Sequence, residues 1–233
     1  MDIPPALTRN TFSNLPSEKQ EKIVAAAVRE FARQGYRKAS MNTIVREAGI
    51  AKGSLYQYFR NKEVLFCFIF ERFTLLVKKS VAEQGRALEA GTDAGSDFFV
   101  QVRNVLLAGI AFIDLYPEYF QIYLKVLFEQ DVPRREELLS QVRLFSREYF
   151  GPLGQLGQKS GAIRRDVPLD VVIFVLDATL DRFLQSYAQS YPDCGMGLAK
   201  TGRNELLDRV NMILRVLREG LTGSGLHAIN HDV

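Results

Sequence analysis

The sequence predicts an all-α protein of about nine helices, with a small three-helix module ahead of a larger helical body. Three observations carry this. Apolar residues recur at three- and four-residue spacings along nearly the whole chain, and the strict alternation of a half-buried strand is absent. The breaks between periodic segments are rich in Gly, Pro and Asp. Charge divides the chain as well: residues 1–62 hold eleven Lys/Arg against five Asp/Glu, a net of +6, and the remainder is net −3. A basic module on a mildly acidic body points the module toward an anion.

Each helix has its own warrant. After a flexible arm over residues 1–15, Ser17 opens the first helix, and Ser17-x-x-Gln20 has the spacing of a capping box. Ile23, Ala27 and Phe31 form its inner stripe with Val24 and Val28 beside it, and Gly35 is placed to end it. Ser40 caps a short second helix whose inner face is Ile44, Val45 and Ala48, and Gly49 closes it. A three-residue connection, Gly49 to Ala51, leads to a third helix held by Leu55 and Phe59. Asn61 then caps a long fourth helix with Leu65, Phe68, Ile69, Phe73 and Leu76 on its apolar side, ending near Gly85 to Gly91.

Residues 91–96 read as a turn, and helices follow at about 97–115, 117–130, 134–158, 169–190 and 204–220. Pro117, Pro133 and Pro168 fall where helix starts accept proline. The stretch Tyr191 to Gly202 reads as a loop, and a flexible tail covers residues 222–233.

Two short helices joined at a glycine turn, behind a longer supporting helix, make a helix-turn-helix over residues 16–62. Such a unit needs a recognition helix with one face attached and the other free of bulky aliphatics, so that it can enter the major groove. Leu55 and Phe59 attach. Lys52, Gly53, Ser54 and Gln57 offer small or hydrogen-bonding surface, and Tyr56 and Tyr58 can reach phosphates or thymine methyls. Gln57 and Lys52 are the candidate readers of base edges.

Residues 19–70, from IVAAAVREFARQGY through SMNTIVREAGIAKGSLYQYFRNKEVLF, resemble the tetracycline-repressor (TetR) family of bacterial regulators. The shared array is the helix-ending Gly-Tyr, the Ala-Gly turn, Lys-Gly-Ser-Leu-Tyr-x-Tyr-Phe and Lys-Glu-x-Leu. By that resemblance Ser40, Asn42, Lys52, Gly53, Ser54, Tyr56, Gln57 and Tyr58 match DNA-contacting positions, and Lys62 matches a phosphate contact. Ala51 departs from the family, which often has a capping Ser there; a lost cap costs about 1 kcal/mol. The resemblance also implies a homodimer on a palindromic operator, released by a small-molecule effector.

Residues 63–221 are the expected effector-binding and dimerisation domain. Leu206, Val210, Ile213 and Leu217 on the last helix form a coiled-coil-like seam. Val175, Thr179, Arg182 and Phe183 offer a face on the helix before it. Together they are the candidate dimer surface, with an intramolecular core as the alternative. Phe112, Tyr116, Tyr119, Phe120, Tyr123, Phe145, Tyr149 and Phe174 suit an apolar effector cavity, and equally a plain core. Asp177 and Asp181 could serve that cavity or a cation, or pair with Arg182 or Arg164. The segment GAIRRD ahead of Pro168 resembles the family's turn before its eighth helix and reads as structural.

Composition narrows the remaining classes. The only histidines, His227 and His231, lie in the tail, and the two cysteines, Cys67 and Cys194, lack ligand spacing. No nucleophile motif, metal cluster or phosphate loop is present, so neither an enzyme nor a cofactor is expected. The most apolar run, Val64 to Phe70, is cut by Glu71 and Arg72, and the N-terminus lacks a signal-peptide pattern. The expectation is a cytoplasmic DNA-binding repressor without membrane contact, responsive to a largely apolar effector, or else a constitutive DNA-binding dimer.

Overall fold

The computed structural model describes residues 12–89, 97–189 and 194–222. The expected turn at 91–96, the first eleven residues of the arm and all but Thr222 of the tail lie outside the described residues. Among those described there are nine α-helices and no strand: α1 Ser17–Lys38, α2 Met41–Ala48, α3 Lys52–Tyr58, α4 Lys62–Glu89, α5 Phe98–Leu115, α6 Pro117–Phe128, α7 Arg135–Ser160, α8 Leu169–Ala188 and α9 Arg203–Leu221. The all-α expectation holds, and α2 and α6 start at the cap and the proline read from the sequence, Ser40 and Pro117.

Close backbone contacts divide the chain into two compact units, Met1–Leu76 with Tyr116–Val142, and Val77–Leu115 with Arg143–Val233. The grouping is not sequential: α6 belongs with α1, α2 and α3. In the first unit Ile23, Phe31, Ile44, Leu55, Leu65, Phe66, Ile69 and Ile122 are buried, so α1, α2, α3, the start of α4 and α6 share one core. In the second, Phe98, Val102, Leu106, Ile163, Val172, Leu176, Val210 and Leu214 cluster, drawing in α5, α8 and α9.

Three local expectations are corrected. Pro16, not Ser17, is the N-cap of α1, and Gln20 Nε2 donates to the carbonyls of Leu15 (2.8 Å) and Ser13 (3.2 Å) instead of closing a capping box. The end of the arm is anchored: Phe12 is buried, with its ring centroid 5.1 Å from Phe59 and 5.3 Å from Phe68. Gly35, at φ 69° and ψ 176°, kinks α1 without ending it, and a last turn reaches Lys38. The left-handed side of φ suits glycine, and a Cβ there would meet a Glu129 carboxylate oxygen at 2.5 Å.

Helix α5 also departs from expectation. Over its 18 residues the mean hydropathy reaches 1.6, long and apolar enough to cross a membrane, which the sequence reading did not single out. Half of that window is buried, and Phe98, Val102 and Leu106 belong to the core of the second unit, so its apolarity is that of a core helix.

The turn before α8 is structural, as read. Gly161 is left-handed at φ 81°, Ile163 is fully buried, and the Arg164 N–H donates to the Leu221 carbonyl at the end of α9 (2.8 Å). Arg165 caps α7 by donating to the carbonyls of Gln158 (2.8 Å) and Lys159 (3.0 Å).

Candidate nucleic-acid interface

The local sequence builds the turn of the helix-turn-helix. The Ser40 hydroxyl accepts the Thr43 N–H at 3.4 Å, which starts α2. Gly49 stops it at φ 66° and ψ 34°, where an L side chain is strained, and the N–H groups of Gly49 and Ile50 return to the carbonyls of Arg46 and Val45. Leu55 (0% exposed) and Phe59 (3%) hold α3 to the core as expected. Ala51 occupies the N-cap of α3 with no side-chain bond, so the cap absent from the sequence is absent from the structure.

The outer face of α3 presents Lys52, Gly53, Tyr56 and Gln57 to solvent, with Ser54 half-buried. Tyr56 is 40% exposed although it is a large aromatic. A Cβ on Gly53 would meet nothing within 4 Å, so packing inside the chain does not require glycine there. Asn42 stands exposed on the first turn of α2.

Tyr58 belongs elsewhere. It is 8% exposed and its ring lies edge-on to Phe12 at 6.0 Å, so it serves the core and is not part of the open face the sequence suggested. The sequence could not reveal this, because its partner is in the arm. Lys62 is similarly engaged. Its ammonium donates to the carbonyls of Arg37 (2.9 Å) and Ala39 (3.1 Å) and lies 4.7 Å from the centroid of the Tyr36 ring. From the other side, the buried Glu30 carboxylate accepts the Ser40 N–H at 2.9 Å and Arg33 at 3.3 Å. The joint between α1 and α2 is thus clamped by an acid from α1 and a base from α4. Glu30 was not singled out from the sequence, and Tyr36 entered only as part of the helix-ending Gly-Tyr. The visible signal was a charged residue, Glu30, directly before Phe31 on the buried side of α1.

The body residues sort differently from expectation. On α8, Val172, Leu176, Leu180 and Phe183 are buried, and on α9 Leu206, Val210, Leu214, Leu217 and Leu221 are buried. The expected dimer residues Phe183, Leu206, Val210 and Leu217 therefore form the core of the second unit; Val175, Thr179 and Ile213 are half-buried and Arg182 is exposed. The faces left in solvent carry other apolar residues: Val171 (45% exposed), Phe174 (72%) and Ala178 on α8, and Met212 (54%) and Val216 (68%) on α9. Phe174 and Leu176 are two residues apart and so point to opposite sides of the helix.

That exposure places Phe174 outside the core of the second unit. Tyr119, Phe120 and Tyr123 are buried and Tyr116 half-buried in the first unit, where Tyr123 stacks on Phe73 at 5.5 Å. Phe112 (buried), Tyr149, Asp177 and Asp181 (half-buried) belong to the second unit, and the Phe145 side chain lies outside the described residues. Asp181 accepts Gln185 Nε2 at 2.8 Å, and Arg164 pairs with Asp166.

Residues 23–67, which span α1 through the start of α4, match the model for bacterial regulatory proteins of the tetR family, and residues 96–222 match the tetracyclin repressor-like C-terminal domain. The chain belongs to the TetR family. Among TetR-family relatives, the "Probable acrEF/envCD operon repressor" of Escherichia coli K12 is 26% identical over 173 residues, covering 72% of this chain and 75% of that protein. A TetR-family regulator from Chloroflexus aurantiacus superposes with a TM-score of 0.63 at 29% identity, covering 91% of this chain and 97% of its own. FadR from Bacillus subtilis, solved in complex with stearoyl-CoA, superposes with a TM-score of 0.66 over 88% of this chain and 98% of its own; at 18% identity that likeness is one of fold.

Proposed function

We propose that this TetR-family regulator is a cytoplasmic repressor that binds a palindromic operator as a homodimer and is released by a small, largely apolar effector. The observation that carries the DNA reading is the two-sidedness of α3. Leu55 and Phe59 are buried, while Lys52, Gly53, Tyr56 and Gln57 stand clear of the core. Gln57 can read a base edge bidentately, Lys52 and Tyr56 can hold base or phosphate, and Gly53 allows close approach of the backbone. Ser40 and Asn42 at the start of α2 contact the flanking phosphates. Lys62 positions the reading head through the α1–α2 joint.

The exposed faces of α8 and α9, with Val171, Phe174, Ala178, Met212 and Val216, pair with the same faces of a second copy. Apolar surface of this kind marks an interaction site. A twofold pair sets two α3 helices one DNA turn apart, roughly 34–36 Å. The buried aromatic residues of α5 and α6 and the acyl-CoA held by a protein of the same fold support an apolar effector. The effector acts only by binding the operator-competent and released states with different affinity.

Fluorescence anisotropy on DNA from the protein's own promoter tests this. Gln57→Ala is expected to lose about 1–3 kcal/mol on operator and little on random DNA. Equal losses on both would refute base reading by Gln57. Screening acyl compounds at fixed salt tests release, and unchanged operator affinity throughout would favour a constitutive binder.

A further inference from the structure

Within the first unit, a cleft of about 350 Å³ opens beside α1 and is lined by Val24, Ala25 and Val28 of α1, Arg72 of α4, and Tyr116 and Tyr119 at the start of α6. Its size is at the lower end for small-molecule sites. Glu21, Arg29 and Glu118 complete its rim. Arg29 is matched by Glu47 at 3.5 Å, whereas Arg72 is the notable cation. Its Nε is buried and, among the described residues, is the one buried side-chain nitrogen or oxygen without a hydrogen-bond partner. One side of the guanidinium is engaged: it faces Tyr119, offsetting in part the burial that pushes that phenol up, and it lies 6.0 Å from the centroid of Phe68.

An orphaned N–H hidden from water is costly, because no solvent replaces the missing acceptor. The acceptor that suits a guanidinium fork is a carboxylate, taken through two parallel N–H groups. The two rim carboxylates, Glu21 and Glu118, are exposed, and they repel a dianion such as phosphate more strongly than a monoanion. Behind the fork the cleft is aliphatic on the α1 side and aromatic on the α6 side.

We propose that the cleft between α1 and the Arg72–Tyr119 pair is a binding site for a small monocarboxylate with a short apolar body, its carboxylate taken by Arg72 and its tail laid against Val24, Ala25 and Val28. The occupant bridges α1 of the reading head to α4 and α6. A short turn of the Arg72 side chain brings Nε to the carboxylate and satisfies it. The site is separate from the exposed face of α3, and its occupancy does not depend on DNA.

Hexanoate is the probe, titrated into the full-length protein without DNA while the methyl signals of Val24 and Val28 are followed by NMR. A saturable shift of both is expected, with hexan-1-ol and hexylammonium giving none at the same concentrations. Arg72→Met is expected to weaken hexanoate about tenfold or more, the loss of a charge-assisted pair. Ala25→Phe, at an exposed helical position, fills the cleft from outside the core and is expected to abolish the shift; it decides the matter even if Arg72→Met does not fold. The site is refuted if hexanoate produces no saturable shift, if hexylammonium shifts the same methyls equally, or if Ala25→Phe or a folded Arg72→Met binds like the parent. Operator binding, measured separately by anisotropy, stands or falls independently of these outcomes.

Discussion

The Lys62 ammonium lies 4.7 Å from the centroid of the Tyr36 ring while donating to the carbonyls of Arg37 and Ala39. One charge at the start of α4 therefore fixes the chain that leads into α2. The Tyr36 phenol is held above its ordinary range first by burial and then by Glu63 and Cys67. Lys62→Met is expected to cost about 1–3 kcal/mol in urea unfolding, the value of hydrogen bonds made by a charged group. The salt slope of DNA binding distinguishes this clamp from a phosphate contact. A phosphate contact would lower the slope by about one on mutation, and an unchanged slope is expected here.

Gly35→Ala should destabilise the first unit. At φ 69° and ψ 176°, a region essentially reserved for glycine, an alanine loses roughly 1–3 kcal/mol to backbone strain. Its Cβ also meets the Glu129 carboxylate at 2.5 Å, but that side chain can swing away. Most of the loss is therefore expected to persist in a Glu129→Ala background, as thermal denaturation of the single and double variants will read.

Ala51→Ser is expected to stabilise. The N-cap of α3 lacks a side-chain acceptor, and Ser54 N–H returns only to the Ala51 carbonyl at 3.0 Å. A capping hydroxyl adds about 1 kcal/mol. The gain should appear as slower amide exchange across α3 in the absence of DNA.

The two sides of α8 are expected to give opposite phenotypes. Phe174→Glu, in solvent, should leave the helical content intact and shift the protein to monomer in light scattering. Leu176→Ala, fully buried, should cost about 2–5 kcal/mol of stability with the assembly unchanged wherever the protein remains folded. A Phe174→Glu protein that stayed dimeric would move the pairing surface elsewhere.

Tyr187 provides a pH signature. Burial and a hydrogen bond donated to Asp114 at 2.6 Å push its hydroxyl up to about 12. The folded pKa lies above the unfolded value near 10, so the contribution is fully present below about 10 and is lost as pH rises from there toward 12. Tyrosinate absorbance should show this residue among the last to titrate, and Tyr187→Phe should flatten the alkaline fall in stability.

Much of the reading head was legible because its signals are local. Gly49 needs a left-handed turn, Ser40 and Asn61 cap the residues just after them, and Leu55 and Phe59 are four apart on one face. The packing of Tyr58 and the hydrogen bonds of Lys62 were not legible, for the complementary reason. Their partners, Phe12 in the arm and the carbonyls of Arg37 and Ala39, are brought to them by the fold from distant sequence.

The body marks the same division more sharply. By itself the sequence determined the helices, their order and the presence of apolar stripes on α8 and α9, because periodicity and capping act within a few residues. Only the tertiary structure decided which stripe each helix turns inward. Val172, Leu176 and Leu180, with Val210 and Leu214, fill the core, and Phe174, Met212 and Val216 remain in solvent. A helix with apolar residues on two faces can bury either one at similar gain, so the choice rests on how the neighbouring helices pack against it.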